Sequence, residues 1–155
     1  MYQSIMLAVA LQDWERYSAH AQAAREVAGA LAKGAATPLH VLSVYEYERV
    51  ASTGLSPEMD ARHRDDLRRR TDDLMEQRMD DFIAPLKEVG VEVKKVLRVG
   101  KPREVVVQMA RSLIADVLVI GSHSKRGILD IALGGTARHL THEAPCTVLM
   151  VSPKT

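Results

Sequence analysis

The chain has 155 residues, a formal net charge of +1, 26% charged and 46% hydrophobic residues, a length and balance that suit one domain over residues 1–155. Near-neutral charge argues against a nucleic-acid partner or an anionic membrane surface, and no apolar run approaches the ~20 residues needed for membrane insertion. The start, Met1-Tyr2-Gln3-Ser4, lacks the charged and apolar stretches of a signal peptide, and a single cysteine, Cys146, allows no internal disulfide, so a cytoplasmic protein is expected.

In chain order, residues 4–11 form a dense apolar run and the first expected strand. Asp13 or Ser18 can open the next helix, in which Ala19, Ala23, Val27, Ala30 and Leu31 recur at helical spacing before Gly34 ends it. Pro38 leads into a second strand over residues 39–45, and residues 46–57 read as a loop punctuated by Gly54 and Pro57. A long helix is expected over 58–89, with Pro85 kinking or shortening its last turns. Its apolar stripe is Leu67, Leu74, Met75, Phe82, Ile83 and Leu86. Arg68-Arg69-Arg70 invites a nucleic-acid reading, but the interleaved Asp65, Asp66, Asp72 and Asp73 cancel the field that phosphates need. A solvated face with local ion pairs is the simpler account.

Gly90 closes that helix, and residues 91–99 alternate in the manner of an edge strand. Gly100-Lys101-Pro102 turns into a helix over 103–114, with Val105, Val106, Met109, Ala110 and Leu113 as its buried face. Val117-Leu118-Val119-Ile120 has the β-branching of a strand buried on both faces. It stops at Gly121-Ser122, and a cationic loop follows with His123, Ser124, Lys125, Arg126 and Gly127. Gly134-Gly135-Thr136 then precedes a helix over 137–143, and residues 146–151 make the last strand. Strands alternating with helices mean a parallel α/β sheet with right-handed crossovers. Glycines let a backbone approach a ligand, and a helix N-terminus offers free N–H groups to an anion, so these two turns are the candidate phosphate site.

The runs GSHS from Gly121, GGT from Gly134 and EAPCTVLMV from Glu143 resemble the C-terminal signature of the universal stress proteins. That signature is G-x2-G-x9-G-[ST], followed by a helix and a strand introduced by A-P-C. Gly121 aligns with the first glycine and Gly134 with the third, and Leu97 to Val106 echo a second family pattern anchored on Gly100 and Pro102. The resemblance implies a five-stranded parallel sheet with helices on both faces, order 3-2-1-4-5, of the adenine nucleotide alpha-hydrolase-like kind. It also implies an adenine nucleotide, ATP or AMP, with Val41 behind the adenine ring. Gly121, Ser122, Gly134, Gly135 and Thr136 would hold phosphate through N–H and hydroxyl groups, with His123, Ser124 and Gly127 in the same loop. A homodimer through residues 146–151 is implied as well. The alternative within the family is a member without nucleotide that acts on a protein partner through its dimer.

Three positions depart from the pattern. Ser124 stands for the second glycine, Gly135 for the Ser or Thr, and Ala10 for the Asp that holds the adenosine part, with Asp13 three residues on. Forcing Ser124 to φ > 0 costs about 1–2 kcal/mol, and losing a hydroxyl bond to charged phosphate costs roughly 1.5–3 kcal/mol. Together these weaken ATP binding by about two decades and predict either weak ATP affinity or a preference for a smaller nucleotide such as AMP, with tighter ATP binding on Ser124→Gly with Gly135→Ser. No Walker loop, dinucleotide fingerprint, nucleophile elbow or zinc set is present, so no catalytic constellation and no metal site are expected.

Overall fold

The computed structural model describes residues 2–11, 19–47, 61–122 and 135–154. Five strands, β1 (Ile5–Ala8), β2 (Leu39–Tyr45), β3 (Val93–Val99), β4 (Val117–Gly121) and β5 (Thr147–Val151), form one parallel sheet in the order β3-β2-β1-β4-β5. Helices α1 (Ala19–Ala35), α2 (Ala61–Glu88), α3 (Pro102–Ser112) and α4 (Gly135–Glu143) connect them. The expected fold class and strand order are both present.

Period-2 alternation divides the core into two layers. Ile5, Leu7, Val41, Val117 and Val119 face Ala24 and Ala28 of α1 and Met75, Met79 and Phe82 of α2. Met6, Leu42, Leu118 and Ile120 face Val106, Val107 and Ala110 of α3 and Ala137 and Leu140 of α4. β4 is buried on both faces, which is why its sequence is an unbroken apolar run. β3 lies on an edge, as its alternation predicts, and β5 lies on the other.

Some helix details differ from the sequence reading. The buried stripe of α2 is Thr71, Met75, Met79, Phe82, Ile83 and Leu86, while Leu74 is exposed and Leu67 half-buried. Leu74 is one residue, about 100°, off the i, i+4 row that starts at Thr71. α2 also continues through Pro85 to Glu88. Both Pro85 and Asp81, whose carbonyl loses its donor, are exposed, so water can satisfy that group. In α3, Val107 joins Val106 and Ala110 in the core, whereas Val105, Met109 and Leu113 are half-buried. The left-handed residue after α1 is Ala36, with φ 51°, rather than Gly34.

The end of α3 has the Schellman pattern, with Ile114 N–H on the Arg111 carbonyl and Ala115 N–H on the Ala110 carbonyl. Ile114 therefore occupies the left-handed position, with φ 47°, and is 83% exposed. A β-branched residue there costs on the order of 1–2 kcal/mol, and its exposed side chain returns little. Ile114→Gly is expected to stabilise the fold by roughly 0.5–1 kcal/mol after the added unfolded-state entropy. A urea midpoint that stays put or falls would show that Ile114 carries packing beyond this cap.

Candidate functional site

In the order β3-β2-β1-β4-β5 the chain reverses direction of growth between β1 and β4, and open α/β sheets bind ligands at the carboxyl ends flanking that switch. Ala8 is level with Leu42 and Ile120, so the edge is formed just beyond these residues. Ala10 lies there and is exposed. Val41 does not, because it is level with Leu7 and is fully buried in the α1–α2 layer.

Gly121 ends β4, and the first turn of α1 lies directly on it. A Cβ at Gly121 would stand 3.1 Å from the carbonyl carbon, carbonyl oxygen and Cβ of His20. Close helix–sheet packing thus favours a glycine there, whatever binds nearby. Ser122 follows and turns toward β5. Its N–H donates to the Val151 carbonyl at 2.8 Å, and its hydroxyl donates to the same oxygen at 3.2 Å. The hydroxyl also lies 3.3 Å from His20 Nδ1 and within bonding reach of the Ser152 hydroxyl. Both donors of Ser122 therefore tie β4 to β5, leaving little for a phosphate.

Gly135 and Thr136 are the first two residues of α4, two earlier than the sequence pattern suggests, and both are exposed. Their backbone N–H groups belong to the unpaired first turn, which carries the positive end of the helix dipole. α3 packs beside α4 in the same layer, and Arg103, in its first turn, reaches across to Gly135. A Cβ at Gly135 would sit 3.3 Å from the Arg103 Cζ and closer still to Nη2. Arg103 is exposed and makes no hydrogen bond or ion pair with another described residue. No sequence motif singles it out, because only the side-by-side placement of α3 and α4 brings it to the loop. His123, Ser124, Gly127 and Gly134, with Lys125 and Arg126, lie outside the described residues.

A second cluster stands at the carboxyl end of β2. The Tyr45 hydroxyl donates to Asp72 Oδ1 at 2.5 Å, and the Tyr47 hydroxyl lies 3.0 Å from Oδ1 and 3.3 Å from Oδ2. The two rings meet edge to face at 5.9 Å, and the Arg68 guanidinium lies 5.3 Å from the centre of the Tyr47 ring. Burial, and then the bond to Asp72, push both tyrosine pKa values above the ordinary range. Arg78 of α2 donates to the Leu11 carbonyl at 2.8 Å, so α2 braces the exits of both β1 and β2. The alternating Tyr45 and Tyr47 at a strand end were visible in the sequence, but their shared carboxylate was not. Among the described residues no group of three or more His, Cys, Asp or Glu is placed to hold a metal ion.

Residues 1–152 match the sequence model of the Universal stress protein family. By sequence the chain is 28% identical, over 57% of its length and 55% of the relative's, to a universal stress protein of Methanocaldococcus jannaschii. The chain spans about half the length of the relatives it matches in this way. Among solved structures it is similar to the hypothetical protein MJ0577, with a TM-score of 0.77 at 22% identity, covering 100% of this chain and 99% of that one. It is also similar to the Archaeoglobus fulgidus universal stress protein in complex with dAMP, with a TM-score of 0.64 at 18% identity and coverage of 97% and 98%. At these identities the structural likeness speaks for the fold.

Proposed function

Since the chain belongs to the universal stress protein family, we propose that it is a small regulatory module, cytoplasmic, that binds an adenine nucleotide at the carboxyl edge between β1 and β4. The observation that carries this reading is the exposed N-terminus of α4 at Gly135 and Thr136, with the Arg103 guanidinium beside it. A solved relative holds dAMP, and the topological switch is where such a ligand belongs. Binding is weak by this account. Ala10 offers no carboxylate to the adenosine part, and Ser122 spends its N–H and hydroxyl on β5. Phosphate contacts then fall to α4 and its neighbours rather than to β4. Heat-denaturing the purified protein and chromatographing what is released should give AMP or ATP below stoichiometry. Calorimetry should give ATP and AMP dissociation constants well above the micromolar range. Nucleotide that neither co-purifies nor binds at millimolar concentration would sink this reading.

The second reading, a dimer that acts on a protein partner without nucleotide, is favoured by the two sheet edges. On β5, Leu149 and Met150 are each 37% exposed, an apolar edge that can pair with a second copy. The β3 edge instead carries Lys94, Lys95 and Arg98, which discourage pairing there. Lys95 is held by Glu76 at 2.5 Å and Asp80 at 2.7 Å. A symmetric homodimer through β5 is expected, and Met150→Glu should convert it to monomer or aggregate. A native chain that sediments as monomer at micromolar concentration contradicts this. Among the described residues no helix is long and apolar enough to cross a membrane.

A further inference from the structure

Resting on the nucleotide reading, we infer that Arg103 is the phosphate-recognising side chain of this site, standing in for the hydroxyl that the family signature supplies at position 135. The Ser or Thr of that signature would project its side chain from the first residue of α4. Here residue 135 is glycine, and the volume its side chain would occupy is filled by the Arg103 guanidinium. Glycine at 135 and arginine at 103 are therefore linked. With a side chain at 135 the guanidinium has to shift, and without one it can lie on the helix end.

The electrostatics point the same way. A cation beside a helix N-terminus is repelled by the positive end of the dipole, and Arg103 has no carboxylate partner among the described residues to offset this. Neither Lys101 before it nor Pro102 after that supplies negative charge, and the neighbouring Glu104 makes no ion pair with it. A phosphate placed between the guanidinium and the first N–H groups of α4 satisfies both at once. Its oxygens match the planar fork of an arginine, which a lysine or hydroxyl cannot reproduce. The exchange of hydroxyl for guanidinium also changes what restoring the signature does. Gly135→Ser gains a hydroxyl and pushes the Arg103 guanidinium off its place on the helix end, so it trades one phosphate contact for another.

The test is ATP calorimetry on four proteins: native, Arg103→Ala, Gly135→Ser, and the double variant. Urea midpoints confirm that each is folded. Arg103→Ala is expected to weaken ATP at least tenfold in the native background and less than about threefold when combined with Gly135→Ser, because the serine has already displaced the arginine. A loss of equal size in both backgrounds, or no loss in either, overturns the assignment while native ATP binding stands. A native protein that binds no ATP at millimolar concentration overturns the nucleotide reading and this assignment with it.

Discussion

Phe82→Ala is expected to lower the thermal midpoint by roughly 6–20 °C. Phe82 is the only phenylalanine, is 0% exposed, and sits in the layer between the sheet and α1–α2 with Met75, Met79, Ile83 and Ala28. Truncating a buried phenylalanine costs about 3–5 kcal/mol in lost transfer and residual cavity. In a domain of this size each kcal/mol is worth roughly 2–4 °C. Total stability is typically about 5–15 kcal/mol, so the loss is a large share of it. The Arg25 guanidinium lies 5.0 Å from the ring centre and donates to the Phe82 carbonyl at 3.0 Å. The backbone bond survives the substitution and the cation–π contact does not. Phe82→Leu should therefore recover most of the stability but not all. A midpoint within about 2 °C of the native value for Phe82→Ala would mean that this layer repacks freely, against the density seen in protein interiors.

Tyr45→Phe is expected to cost roughly 1.5–3 kcal/mol, the usual range for a hydrogen bond to a charged group. Tyr45 is 4% exposed and donates to Asp72 Oδ1 at 2.5 Å. Tyr47 still satisfies part of that carboxylate, which favours the lower end of the range. The same bond gives a pH signature with a definite sign. The folded state holds the tyrosine in its neutral, donating form, so its pKa is raised above the ordinary value near 10. Its contribution is fully present below pH 10 and is lost as pH climbs from there toward the raised folded value. The native urea midpoint should fall above pH 10, and the midpoint of Tyr45→Phe should fall less steeply. Parallel slopes for the two proteins would show that another group controls alkaline unfolding.

Much of the candidate site was not legible in the residues taken one at a time. Gly121 reads as a ligand glycine, yet the first turn of α1 already favours it, because a side chain there would crowd the His20 backbone. Ser122 reads as a phosphate hydroxyl, yet it closes onto Val151 and Ser152. Val41 reads as an adenine backing, yet it is level with Leu7 and fully buried in the α1–α2 layer. Gly135 reads as a lost hydroxyl, and it is also the space that Arg103 fills. In each case the deciding neighbour comes from an element distant in sequence.

The sequence by itself determined the alternation of strands and helices, the double burial of β4, the edge character of β3 and the family. The first three follow from periodicity, β-branching and glycine or proline punctuation, which are local properties read within a window of a few residues, and the family from the resemblance of the runs at Gly121, Gly134 and Glu143 to its signature. Only the tertiary structure decided which residues share the carboxyl edge. In the structure α1 is laid on Gly121, Ser122 closes onto β5, and Arg103 is carried from α3 to α4. It likewise decided that Met79 and not Leu74 completes the stripe of α2, since a helix face is defined by what it packs against. Composition and spacing hold no information on contacts between residues tens of positions apart. The site consists almost wholly of such contacts.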